Sequence, residues 1–371
     1  MMKKERKSYN NIDFWSHSAI DFLAKMIAVP SLSRQEDNVA KLIQSEIESF
    51  DIKVLKIQNN VIAFSKNFDQ QKPSIILNSH HDTVPANSNY TKDPLKAIYE
   101  DGKLYGLGSN DAGGCLTSLI HCFIALYEHN LKYNLILIAS AEEEISGKNG
   151  IEAVFNSDQF KNIYTGHQDD FAIVGEPTLM QMAVAERGLM VVDAVCEGVA
   201  GHAAREEGIS ALYKAIDDIS KIRSYEFPKN SELLGPVKTS VTVINTENKA
   251  HNVVPNQCQY VIDCRINEQY TFTEILETLQ NFCSAKLTPR SMRLKSSMIA
   301  LDHPIVKTGL HLGKTFYGSP TTSDKALIPI TALKIGPGDS ARSHSPDEFI
   351  FVEEIRQGVE EYMKMILMVC K

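Results

Sequence analysis

The sequence has no C-x-x-C pair and no apolar run approaching the ~20 residues that a membrane helix needs. Its seven cysteines are odd in number and scattered. That excludes a thiolate metal site and a disulfide framework, and free thiols in a reducing cytoplasm account for them. Any metal must then be held by histidines and carboxylates. The basic start, MMKKERKSYNNIDFW, is followed by no apolar segment, so a secretory signal is not expected and the reading is cytoplasmic. Positive charge is also short. Lys and Arg total 38 against 46 Asp and Glu, a net charge of −8, which argues against nucleic acid as a partner.

What is present is enough chain for more than one domain. Its 371 residues exceed the roughly 250–300 that one core usually fills. Three nearly all-apolar runs, SIILN at 74–78, LILIA at 135–139 and FAIV at 171–174, suit central strands covered on both faces. An apolar helix at 114–129 lies between the first two, which is the α/β pattern. From about residue 184 the style changes. A strand at 185–197, a helix at 208–223, strands at 238–245 and 257–266, a helix at 271–283 and a strand at 290–296 give the order β-α-β-β-α-β of a ferredoxin-like sandwich. A helix at 305–315, a strand at 331–335 and a helix at 352–369 then return to the first style. The expectation is an α/β catalytic domain in two parts, 1–183 and 297–371, with an inserted domain at 184–296.

The informative polar residues fall after the predicted central strands, where open α/β sheets carry their ligand sites. His80-His81-Asp82 follows the first strand, and positions two apart in extended chain share a face, so His80 and Asp82 pair while His81 points away. A carboxylate behind a ligating imidazole fixes its tautomer, a place Asp82 could fill. Taken alone, this is equally a polar turn. Asp111, in Gly106-Leu107-Gly108-Ser109-Asn110-Asp111, stands where a dinucleotide fingerprint needs its third glycine; an N-cap is the plain alternative. Glu142-Glu143-Glu144 follows the LILIA strand, and three successive acids at a buried strand end repel one another unless a cation offsets them. Glu176 follows FAIV, and His344 lies beyond the strand at 331–335. Each cluster is weak by itself. Together they supply His, Asp, Glu, Glu and His at one sheet edge, the donor set for two zinc ions sharing a carboxylate.

These five clusters, in this order, resemble the zinc metallopeptidase family of acetylornithine deacetylase, succinyl-diaminopimelate desuccinylase and carboxypeptidase G. The resemblance implies a mixed-sheet catalytic domain with an inserted lid that also dimerises. It implies that His80 and Glu176 hold one zinc, Glu144 and His344 the other, and that Asp111 bridges them, followed by a cis peptide bond. Cobalt or manganese suit the same donors. The family's acidic triplet is Asp-Glu-Glu. Glu142 then replaces the Asp, Glu143 is the general base and Glu144 a ligand; a shift by one makes Glu142 the base. The sequence departs from the family at Gly113, where a lysine is usual.

In the inserted domain, the resemblance implies that His202 reaches a neighbouring subunit's active site and steadies the oxyanion, with Asn252 as its companion. Arg265 would grip a substrate carboxylate, assisted by backbone donors at Gly336 and Gly338. A homodimer follows. The stretches around Arg187, His202 and His344 look most like the acetylornithine deacetylase branch, so the expected substrate is a small N-acyl amino acid, an acetyl- or succinyl-ornithine of arginine biosynthesis. Arg187, Arg205 and Arg342 are candidates for the extra cation that a succinyl carboxylate needs. Succinyl-diaminopimelate desuccinylase, a dipeptidase and a non-catalytic binding module of the same fold are the alternatives.

Overall fold

The computed structural model describes residues 4–371. The chain divides into two compact units. One runs to Val184 and resumes over Ile299–Tyr317 and Ser323–Lys371; the other comprises Ala185–Met298 and Gly318–Thr322. The return of 318–322 to the second unit is a feature that the sequence reading places in the catalytic domain. No helix among the described residues is long and apolar enough to cross a membrane.

The first unit opens with α1 (Ile12–Ile27) and α2 (Asp37–Ser49), which flank Pro30, and then β1 (Val54–Ile57), β2 (Asn60–Phe64) and β3 (Ser74–His80). Next come α3 (Gly114–Leu126), β4 (Asn134–Ser140), β5 (Phe171–Val174) and β6 (Met182–Glu186). These strands and a later one, Thr331–Lys334, form a mixed sheet in the order β1, β2, β4, β3, β5, Thr331–Lys334, β6. Pairing is parallel among β4, β3, β5 and Thr331–Lys334 and antiparallel at β1–β2 and β2–β4.

The reason lies in the residue pattern. All seven residues of β3 and of β4 are buried, as consecutive apolar residues in a strand must be when helices cover both faces. Ile76, Ile136, Ile138, Ala172 and Val174 pack on one face with Ile151, Val154 and Phe160 from two short helices. α3 lies against β3 and β4 and packs on α1 and the C-terminal helix.

In the second unit, β7 (Gly188–Glu197), α4 (Ala211–Ser224), β8 (Lys238–Asn245), β9 (Gln257–Ile266), α5 (Phe272–Phe282) and β10 (Lys286–Pro289) follow one another. The sheet order is β8, β9, β7, β10, all antiparallel, which is the ferredoxin-like arrangement. Alternate residues of β7 and β9 are buried, beneath a core that includes Ala211, Ala215, Ile275 and Leu279 of the helices. Thr271 and Glu274 cap α5 reciprocally.

Two sequence expectations are corrected here. The strand expected at 185–197 is two strands in different sheets, broken at Arg187; a side chain on Gly188 would meet the Ser296 amide at 2.6 Å. The last strand is Lys286–Pro289, not 290–296. Leu287 is the inward residue there, paired with Ala194 of β7, whereas the Met292/Leu294 alternation lies in irregular chain. The chain then returns through α6 (Pro304–His311), ended by Gly313 at φ +78, β11 (Thr331–Lys334) and α7 (Val352–Val369).

One buried acid holds the second unit's core in place. Asp218 on α4, 1% exposed, accepts the Ser284 and Ala285 amides and the Tyr260 hydroxyl. Asp218→Ala leaves these donors unpaired, which costs about 2–4 kcal/mol. The expected result is a urea midpoint lower by on the order of 1 M. An unchanged midpoint would show that the network contributes nothing.

Candidate metal centre

β3 delivers His80 and Asp82, and β4 delivers the acidic triplet. His80 is buried, and its Nδ1 donates to the Asp82 carbonyl at 3.0 Å. Because a carbonyl only accepts, Nδ1 carries the proton and Nε2 keeps its lone pair for a metal. The Asp82 carboxylate stands farther from the imidazole, at 3.5 Å. It accepts instead the Ser33 hydroxyl at 2.7 Å and the Glu143 and Glu144 amides at 3.0 and 3.2 Å. Asp82 thus steadies His80 through its backbone and the acidic turn through its side chain. His81 points away, with Nε2 donating to the Asn59 carbonyl.

Six of the expected side chains meet. His80 Nε2 lies 3.2 Å from Asp111 Oδ1 and 3.9 Å from both Glu176 Oε1 and Glu143 Oε2. His344 Nε2 lies 3.1 Å from Glu144 Oε2 and 3.6 Å from Asp111 Oδ2. The two oxygens of Asp111 therefore face two different histidines, and the Asp111–Ala112 peptide bond is cis. Donor atoms around one tetrahedral zinc sit about 3.3 Å apart, given bond lengths of about 2.0–2.1 Å. The His80–Asp111 and His344–Glu144 separations are close to that spacing, and the other three are wider by a few tenths of an ångström. Two groups could each hold a metal ion: His80, Glu143 and Glu176, and His80, Asp111 and Glu144.

The electrostatics point the same way. Burial, with the charges of Glu176, Asp324 and Glu144, lifts the Glu143 carboxyl well above the usual range against the pull of His80. Burial also takes Glu176 up to about 8. Hydrogen bonding to Glu144 raises His344 to about 9. Glu143 and Glu176 are raised chiefly by burial and further by neighbouring carboxylates, a crowding of charge that a divalent cation would offset.

Glu142 takes no part in the cluster. It sits at φ +54, and its carboxylate turns back to accept the Asn149 amide and side chain. Gly147 is small for the same reason: a side chain there would lie 1.9 Å from Glu142 Oε2.

Other expected site residues are engaged in contacts of their own. Gly336 cannot serve a substrate as a donor, because its N–H is taken by Thr178 Oγ1 at 3.0 Å. Its carbonyl accepts the Thr178 and Met180 amides. Gly338 makes a tight turn at φ +87 against the Asn110 side chain, and its carbonyl accepts the Leu179 amide. Arg342 is paired in a fork with Glu354. In the second unit, His202 and Asn252 come together on a short ribbon in which His202 pairs with Val253. Both are exposed, and His202 Nδ1 accepts the Ala204 amide. Arg265 spends Nε and Nη2 on Asp263, at 2.8 and 3.0 Å.

Two buried acids escaped the sequence reading. Asp324 accepts the Ser140 hydroxyl at 2.5 Å, and burial raises it to about 6. Glu348 binds the loop that carries Asp111. Neither follows a central strand, so strand-end position gave no signal for them.

Sequence comparison settles the lineage. The pattern of Peptidase family M20/M25/M40 matches residues 76–368. The chain belongs to this family. It is a metal-dependent hydrolase of the M20 type. A succinyl-diaminopimelate desuccinylase of Wolbachia pipientis is 24% identical over 94% of this chain and 92% of its own. A [LysW]-lysine/[LysW]-ornithine hydrolase of Saccharolobus islandicus is 27% identical over 94% and 95%. In fold, the chain is similar to the aminopeptidase PepT of Bacillus cereus, with TM-score 0.74, 18% identity and coverage of 96% and 99%. The YxeP protein of Bacillus subtilis, described as a dinuclear metal binding peptidase, aligns with TM-score 0.71 and 16% identity over 96% and 99%.

Proposed function

We propose that this M20 enzyme removes an N-acyl group from a diamino acid, with ornithine as the released amine and zinc as the metal pair. The observation that carries the reading is the closeness of His80, Glu143 and Glu176 to one another, and of Asp111 to both His80 and His344, with Glu144 beside His344. The relatives' names concern diaminopimelate, lysine and ornithine, all of them diamino acids.

His80, Glu176, Asp111, Glu144 and His344 would hold the metals, which supply Lewis acidity and a nucleophile at neutral pH. Glu143 takes a proton from the attacking water while the oxygen bonds to the amide carbon. Glu143 then passes that proton to the nitrogen as the C–N bond breaks, leaving a carboxylate and an amine. Asp82 keeps the Glu143 amide fixed through both steps.

For the acyl group, the Wolbachia relative's name concerns a succinyl group, so the succinyl form is favoured over acetyl. On zinc-loaded enzyme, N-succinylornithine is expected to show at least tenfold higher kcat/KM than N-acetylornithine or a dipeptide. Fastest turnover of succinyl-diaminopimelate would transfer the assignment to the desuccinylase reading, which the Wolbachia relative's name favours. No turnover of any amide would leave a binding module.

A homodimer belongs to the same proposal. Tyr213 and Ile216 on α4, and Val243 and Ile244 on the edge strand β8, are large apolar residues left exposed. His202→Ala is expected to lower kcat by roughly 10²–10³-fold, as loss of an oxyanion donor does, with KM changed far less. Full activity in a species that sedimentation shows to be monomeric would remove His202 from the mechanism.

A further inference from the structure

We infer that Glu348 is a positioning residue that sets the Asp111 carboxylate between His80 and His344. The inference rests on the reading that Asp111 holds metal. Glu348 is 2% exposed and faces the turn preceding α3. Its Oε2 accepts the Gly108 amide at 3.0 Å, and its Oε1 accepts the Asn110 and Asp111 amides at 2.8 and 2.9 Å. Its own carbonyl accepts the Gly106 amide. Three convergent N–H groups on two oxygens require a carboxylate, because an amide NH₂ there would set donor against donor.

The same turn is tied at its other end. The Asn110 side chain donates to the Asp339 carbonyl and accepts the Asp339 amide, both at 3.0 Å. Asp111 is thus held by contacts from the segment that also carries His344, four residues before Glu348. Its two oxygens can face two histidines only if the turn keeps this orientation. Asp347, the adjacent acid, grips a different loop, accepting the Thr91 and Lys92 amides at 2.9 Å. It is an internal control of the same charge, one residue away.

The test is zinc titration of the metal-depleted full-length chain by calorimetry, with the visible spectrum of the cobalt-loaded protein as a second readout. Glu348→Gln is expected to weaken zinc binding 10- to 100-fold, the usual cost of losing a group behind the ligands, and to shift the cobalt bands. Asp347→Asn is expected to stay within threefold of the unaltered chain. Should Glu348→Gln not fold, Glu348→Asp keeps the charge but withdraws it by one methylene, and the same direction is expected. Unaltered zinc affinity in the folded variant overturns the inference while leaving the metal reading intact. An unaltered chain that binds no zinc overturns both.

Discussion

Glu143→Gln is expected to bind two metal ions and to lose at least 10²–10⁴-fold in kcat, the range for a positioned proton-transfer group. The substitution matters because distance alone does not separate base from ligand: Glu143 and Glu176 both stand 3.9 Å from His80 Nε2. Titration does not separate them either, since burial and neighbouring acids raise both carboxyls. What differs is attachment, for Glu143 sits on the turn whose amide is fixed by Asp82, whereas Glu176 follows β5. Metal content by emission spectroscopy, read together with kcat, decides the matter. Loss of one ion in Glu143→Gln would make it a ligand and end the proposed division of roles. Glu142→Gln provides the contrast. Its carboxylate serves only Asn149 and the turn around Gly147, so kcat should change less than tenfold.

The central strands, and the candidate residues that follow them in the chain, were legible because both follow short-range patterns. Seven consecutive buried residues in β3 and in β4 read directly as covered strands, and the chemistry sits where those strands end. Within the triplet, the spacing from Asp111 and Gly150 favoured Glu143 as base and Glu144 as ligand, while the local turn that separates Glu142 was not legible. A period of two would set Glu142 and Glu144 on one face, but Glu142 adopts φ +54 and the next residues form a single 3₁₀ turn, so Glu143 and Glu144 point to the cluster instead. Asp82 shows the same limit. Its spacing from His80 foretold a partnership, yet the nearer contact is through its carbonyl. Asp324 and Glu348 are fixed by tertiary contacts with Ser140 and the Gly108–Asp111 turn, which no local pattern reports. Gly336 was misread for a related reason. A glycine after a strand looks like an open donor, whereas close packing against Cys115 Sγ, 2.6 Å from where a Cβ would sit, explains its size.

Removal of the metals is expected to abolish turnover and to lower the melting temperature on the order of 10 °C. Ligands present at about 1,000 times Kd stabilise by about 4 kcal/mol, and each kcal/mol is worth roughly 2–4 °C in a domain of this size. The sign follows from the cluster itself. Asp111, Glu143, Glu144 and Glu176 crowd two histidines, so without cations their charges must be held against one another or carried as protons. Single substitutions should then divide the loss unequally. Glu176→Gln removes a donor from beside His80, and Glu144→Gln removes one from beside His344; each should weaken one ion and spare the other. Asp111→Ala should release both, because its Oδ1 faces His80 and its Oδ2 faces His344. Two ions retained by Asp111→Ala at unaltered affinity would dissolve the shared-carboxylate arrangement, and with it the reason these two histidines, far apart in the chain, come to face a single side chain.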